Sequence, residues 1–302
     1  MMHKKKINIK SSDFWCDVIA VVILILILFV TAYPIYFVVI ASFSNPTLVN
    51  RGEVVLWIKE FTLKGYKMVF ADEGIWRAYL NTIIYVIIHT VMSITFKMMA
   101  GYAMSRKDLV GRKALSIFLL ISMYFSGGMI PTYFVMKTLH LTNSVFVVMT
   151  MGTVGAYSII VIRTFIQGGI PEELYEAASI DGCSHTKYFL QVVIPLSKAI
   201  IAVQTLFAAV GHWNSWFNYM LYLNDDKLMP LQMKLRELLI SQTALMETVM
   251  GSSAEAEAMQ QVLLADAMKY AVIVVSTLPI MCLYPFLQKY FVKGIMVGSV
   301  KG

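Results

Sequence analysis

IPEELYEAASIDGCSHTKYFLQVVIPL, residues 170–196, is a polar stretch between two long apolar segments, and its reading organises the whole chain. Its residues predict two short helices joined by a turn. Pro171 suits a first helical position, because its fixed φ matches a helix start and its missing N–H costs nothing there. Glu172 and Glu173 follow in the first turn, where negative charge meets the positive end of the helix dipole. Leu174, Ala177 and Ala178 recur at helical spacing and leave a face that another surface can approach closely. Gly182 is placed to end this helix in the left-handed conformation. Ser184 is placed to cap a second helix through Phe189, Val192 and Val193. Pro195 closes that helix and redirects the chain.

The surrounding composition is that of a membrane protein. Of 302 residues, 58% are hydrophobic and 14% charged, against about 25% charged in soluble chains. Several apolar runs approach the roughly 20 residues that cross a bilayer. The net charge of +7 comes from residues lying mostly beside apolar runs, which points to membrane topology and away from a nucleic-acid partner. Cys16, Cys183 and Cys282 are widely separated, with no CxxC spacing, so neither a disulfide framework nor a metal site is indicated. The first apolar run is too long for a signal-peptide core and lacks a small-residue cleavage site after it.

Six spans are expected, at about 16–42, 79–104, 114–136, 144–166, 197–218 and 267–287. The expected fold class is therefore an all-α polytopic membrane protein, a single transmembrane domain over 1–302. Residues 1–15, with Lys4, Lys5, Lys6 and Lys10, and the tail 288–302, with Lys289, Lys293 and Lys301, are expected in the cytoplasm. So is the short basic link carrying Arg106, Lys107, Arg112 and Lys113. The core spans, 79–287, then contain a cytoplasmic loop, 168–196, between spans four and five. Gly127, Gly128 and Pro131 are expected to interrupt span three. Gly152 and Ala156 form a small-xxx-small pair suited to close packing of span four. Lys97 is expected to snorkel to the inner interface, and His89 and His140 to be packed or interfacial. An amphipathic helix is expected in the outer loop 43–78, around Phe61, Tyr66, Val69 and Phe70.

Glu176-Ala177-Ala178, followed by Asp181-Gly182, Phe189 and Ile194-Pro195-Leu196, resembles the EAA loop of bacterial ABC importer permeases. Cys183 stands where that family often has Ala, and the Pro often found near Ala199 is absent. The segments HWNSWFNYMLY (212–222), MPLQMKLRELL (229–239) and KYFVKGIMVGSVKG (289–302) are similar to the sugar-importer branch, so the resemblance covers nearly the whole chain. Within that branch the chain looks most like permeases of oligosaccharide and uronate-type systems. The resemblance implies that Glu176, Ala177, Ala178, Asp181, Gly182, Phe189 and Pro195 couple the chain to an ATPase. It implies a bacterial cytoplasmic membrane location. The implied partners are a second permease, two ATPase subunits and an extracytoplasmic solute-binding protein. It implies no cofactor on this chain, with ATP and Mg held by the ATPase subunits. No GxxxxGK[ST] loop occurs, so the chain itself is not expected to hydrolyse ATP.

Sugars stack on aromatic faces and hydrogen-bond to Asn, Gln and His. Gln204, His212, Trp213, Asn214, Trp216 and Asn218 are therefore candidate substrate-pathway residues; the competing reading is an interfacial aromatic belt. Three other functions were weighed. An ABC permease for peptides or amino acids would share the loop. An ion-driven transporter calls for carboxylates inside the spans, where only Asp17 occurs, at the edge of the first. A membrane enzyme needs clustered reactive side chains, and the histidines here are dispersed.

Overall fold

The computed structural model describes residues 12–249, 265–282 and 285. Among the described residues every regular element is helical. They divide between two compact units, Met1–Ala71 with Leu238–Val275, and Asp72–Glu237 with Ser276–Gly302.

In the first unit, α1 (Ser12–Ser42) is apolar all round and exposed along most of its length, with Val30 71% exposed. A helix that is apolar on every face belongs in a membrane or a core. Its last turn, Ile40 and Ala41, packs with Val49 of α2 (Pro46–Asn50) and with Val54. Asn45 caps α2 by accepting from the Thr47 N–H, with Pro46 opening the helix. The amphipathic helix expected in the loop is α3 (Lys64–Ala71), which buries Val69 and leaves Phe70 exposed.

The second unit is built on α4 (Glu73–Ser105). Asp72 caps it, its carboxylate accepting from Gly74 N (2.7 Å) and Ile75 N (3.2 Å). Its buried residues include Ile75, Ala78, Thr82, Tyr85, His89, Ser93, Lys97 and Gly101. They are three or four residues apart, so they form one continuous stripe. That stripe is polar in its middle, which marks α4 as more than a packing element.

α5 (Arg112–Tyr124) and α6 (Met129–Thr138) make the interrupted third segment, bent by 112° around Gly128 at φ 84°. The fourth expected span is not continuous. It consists of α7 (Val145–Thr150) and α8 (Ala156–Gly169), separated by a turn in which Gly152 has φ 75°. The Gly152–Ala156 pair therefore does not form a helix-packing face. Irregular backbone at membrane depth needs its polar groups satisfied by protein. α4 does this: His89 Nδ1 donates to the Met149 carbonyl (2.8 Å) and Ser93 Oγ to that of Thr153 (3.0 Å). The close helix contact lies elsewhere, at Gly101, where a Cβ would sit 2.9 Å from Ile162 Cβ of α8.

The chain continues through α9 (Glu173–Ile180), α10 (His185–Tyr188), a π-helical turn (Phe189–Val193) and α11 (Ile194–Leu196). Then come α12 (Lys198–Trp213), α13 (Phe217–Tyr222), α14 (Leu231–Val249) and α15 (Ala265–Cys282). α12 packs along α4, as α8 does. Three described helices, α1 from Trp15, α4 and α15, are long and apolar enough to cross a membrane. Counting each of two bent pairs as one span raises this to five. The expected fourth span, 144–166, is the one outside that count, because neither α7 nor α8 is long enough alone. The basic residues Lys4, Lys5, Lys6, Lys10, Lys289, Lys293 and Lys301 lie outside the described residues.

Candidate functional site

The polar stretch folds as two helices and a turn, with one shift at its start. α9 begins at Glu173, and Pro171 lies just ahead of it, its carbonyl accepting from Leu174 N (3.3 Å). The helix ends in a paired C-terminal motif. Cys183 N donates to the Ala178 carbonyl (2.9 Å) and Gly182 N to that of Ser179 (3.1 Å), with Gly182 at φ 72°. Ser184 Oγ accepts from Lys187 N (3.3 Å), capping the next helix. Tyr175 and Ala178 pack inward on the core of Met98, Tyr102, Ile162, Ile166 and Tyr188. Glu176, Ala177, Asp181 and Gly182 are exposed, as are Leu174 (43%) and Ile180 (88%). The outward face of α9 is thus Leu174, Ala177 and Ile180, while Ala178 turns into the chain's own core.

Phe189 is half-buried, its ring centroid 5.1 Å from that of Tyr102. Pro195 has no N–H and crowds the carbonyl four residues back. The backbone before it widens accordingly, and Ile194 N donates to the Phe189 carbonyl five residues earlier. The helix then breaks at buried Ser197, so that His185–Leu196 and Lys198–Trp213 meet at 81°. Pro195 and Ser197 together set the angle at which the loop is mounted on α12.

A second attachment was missed in the sequence, where Arg106 and Lys107 were used only to orient the chain. Lys107 Nζ lies 2.8 Å from the Glu172 carboxylate and Arg106 Nη1 3.7 Å from it. The Arg106 guanidinium sits 3.4 Å above the Tyr175 ring and also pairs with Asp108 at 3.2 Å. His185 stacks on Tyr175, with ring centroids 5.5 Å apart. Gln167 Nε2 donates to the Ser105 carbonyl (3.0 Å), tying the end of α8 to the end of α4. The hydrogen bond from Lys107 holds the Glu172 carboxyl below its ordinary range. These groups border an open cavity of about 430 Å³ on the inner face of the clamp.

A second cavity, of about 260 Å³, lies against the polar middle of α4. His89, Lys97, Phe207, His212, Ser215 and Asn218 are on its wall. The rings of His89 and His212 stack 4.1 Å apart at 6°. His212 Nε2 is 2.6 Å from the Tyr219 hydroxyl. Of the six candidate pathway residues, His212 and Asn218 reach this cavity. Gln204 is buried on α12 but does not line it. Trp213 is buried, donating from Nε1 to the Ser276 carbonyl (3.1 Å) and standing edge-on to Tyr79. Asn214 is an exposed helix end, and Trp216 stacks beneath the Arg236 guanidinium at 4.4 Å. Lys97 corrects the sequence reading: it is 7% exposed and faces the cavity, so it does not snorkel.

Residues 74–217 match the family described as the binding-protein-dependent transport system inner membrane component. The chain is 37% identical to Protein LplC of Bacillus subtilis (strain 168), over 90% of each. It is 35% identical to the polygalacturonan/rhamnogalacturonan transport system permease protein YtcP of the same organism, over 92% of this chain and 96% of YtcP. It is also similar in structure to a bacterial ABC transporter involved in the import of the acidic polysaccharide alginate. That likeness has a TM-score of 0.83 and 28% identity, over 95% of this chain and 100% of the other. The matched segment spans α4 to the first residue of α13, and so contains the mounted loop and all of the named cavity wall except Asn218. The chain therefore belongs to the family of inner-membrane components of binding-protein-dependent transport systems, the permeases of ABC transporters.

Proposed function

We propose that this chain is one permease of an ATP-driven importer of carbohydrate, with an oligosaccharide or uronate-type sugar as its cargo. It forms half of the pathway beside a second permease, in a bacterial cytoplasmic membrane. It spans that membrane six times with both ends inside, the broken α7–α8 segment serving as the fourth crossing. Two ATPase subunits hold ATP and Mg, and an external solute-binding protein delivers the sugar. Similar proteins named for polygalacturonan/rhamnogalacturonan transport and for import of the acidic polysaccharide alginate support carbohydrate over peptides.

The observation that carries this reading is how α9 is mounted. Its outward face, Leu174, Ala177 and Ile180, is apolar and uncovered, while its inward face is fixed at two places. One is the Arg106–Lys107–Glu172–Tyr175 clamp to α4; the other is the π turn and 81° bend into α12. An ATPase docked on that face would move α4 and α12 together as a rigid body. Both helices line the polar cavity, so closure of the ATPase would reach the sugar directly.

Purification of the tagged chain from its native membrane in mild detergent tests the assembly. A second permease, an ATPase and a solute-binding protein are expected to accompany it. A strain lacking the chain should lose uptake of an oligosaccharide while keeping peptide uptake. A chain that purifies alone, in cells whose sugar uptake survives its deletion, would remove this reading.

A further inference from the structure

Lys97 is the most unusual residue of the second unit. It lies on α4, a long apolar helix with a continuous buried stripe, and is 7% exposed. An ionisable group within a span is costly and is normally paired or aimed at a water-filled path. Lys97 has no ion pair or hydrogen bond among the described residues. Among the described residues no carboxylate lines its cavity; the wall beside it includes His89, His212, Ser215, Asn218 and the exposed ring of Phe207. His89 is oriented by its Nδ1–H bond to the Met149 carbonyl, and His212 by Tyr219. The two imidazole rings of the wall are therefore held in place beside the ammonium.

We propose that Lys97 reads a carboxylate on the transported sugar, making this cavity a subsite for one acidic residue of a uronate-containing oligosaccharide. The proposal rests on the carbohydrate-importer reading and adds the charge of the cargo to it. The chemistry fits the wall. An ammonium and a carboxylate form a strong charge-assisted hydrogen bond where water is scarce. The Phe207 ring offers a face to a pyranose, and Asn218 and Ser215 offer groups to its hydroxyls. A volume of about 260 Å³ is at the low end for ligand sites, which suits a single sugar ring.

The test uses the complete transporter in cells and two probes, radiolabelled trigalacturonate and its neutral methyl ester. The quantity read is the ratio of acid to ester uptake. The unaltered transporter should favour the acid. Lys97→Met, similar in length and neutral, should lower that ratio at least tenfold, and Lys97→Arg should retain most of it. An unchanged ratio in Lys97→Met overturns the proposal and leaves the importer reading standing. Loss of the second permease from the Lys97→Met complex also overturns it, since the cation would then serve a partner's carboxylate. An unaltered transporter that prefers the ester overturns it without any variant. One that takes up no saccharide removes the importer reading as well.

Discussion

Gly182 and Glu172 stand at the two ends of α9 and act through different physics. Gly182 has open space around it, so only its φ of 72° restricts what can replace it. A residue with a Cβ pays about 1–2 kcal/mol in that conformation, with Asn the best tolerated. Purified transporter should lose thermal stability in the order Gly182→Asn, Gly182→Ala, Gly182→Val; a Val variant as stable as the parent would contradict this. Glu172 is partly exposed, so its pairs with Lys107 and Arg106 contribute only about 0.2–1 kcal/mol each after screening. Glu172→Gln should therefore leave folding nearly intact and lower the transport obtained per ATP. Exchanging the charges, with Glu172→Lys and Lys107→Glu together, should restore part of it. The folded carboxyl lies below its ordinary range, so the clamp is fully present above about pH 4.3, the unfolded value. It is lost only as pH falls through the lower folded value. Proteoliposome transport at about pH 5–7.5 should thus show no clamp-dependent step; a step that Glu172→Gln abolishes would contradict the assignment.

Along α4 two contacts decide whether the bundle holds together. Gly101 lets α8 approach so closely that a Cβ would overlap the Ile162 side chain. Gly101→Ala should cost about 1–3 kcal/mol by overpacking, and Ile162→Ala, which removes the overlapped Cγ2, should show favourable coupling with it in a double-mutant cycle on melting temperature. Ser93→Ala removes the donor to the Thr153 carbonyl at the break between α7 and α8. An unsatisfied buried carbonyl costs about 1–3 kcal/mol, so this variant should be destabilised more than Thr95→Ala, whose hydroxyl bonds within its own helix. These elements were unequally legible in sequence. The Gly127-Gly128-Pro131 run announced the 112° bend, because Gly128 takes a φ of 84° outside any helix and Pro131 is tolerated only in the first turn of the helix that follows. The α7–α8 break was hidden, since Gly152 and Ala156 also fit a continuous span. What decides it is His89 and Ser93, about sixty residues earlier, supplying the missing hydrogen bonds. The turn chemistry of Gly182, Ser184 and Pro195 was readable because it is local. The clamp was not, because Arg106 and Lys107 meet Glu172 only through the packing of α8 on α4. Lys97 was misread for the related reason that nearby Arg106 and Lys107 made the inner interface seem its natural destination.

The permease thus has an exposed apolar face on α9 and a polar cavity on α4 and α12, the two helices to which α9 is attached. The loop ties the last turn of α4 to the start of α12, and both helices line the polar cavity. Motion imposed on α9 has no slack element to absorb it: one end is held by ion pairs and stacked rings, the other by a buried bend. The account stands or falls on what covers the outward face of α9. Cysteine placed at Ile180, in a chain with Cys16, Cys183 and Cys282 replaced by Ser, can be joined to a neighbour by a short bifunctional crosslinker in membranes containing the whole transporter. The account predicts an adduct with the ATPase subunit whose yield changes when ATP is added. A transporter that still imports its sugar, yet gives no ATPase adduct from cysteine at either Ile180 or Leu174, would contradict it.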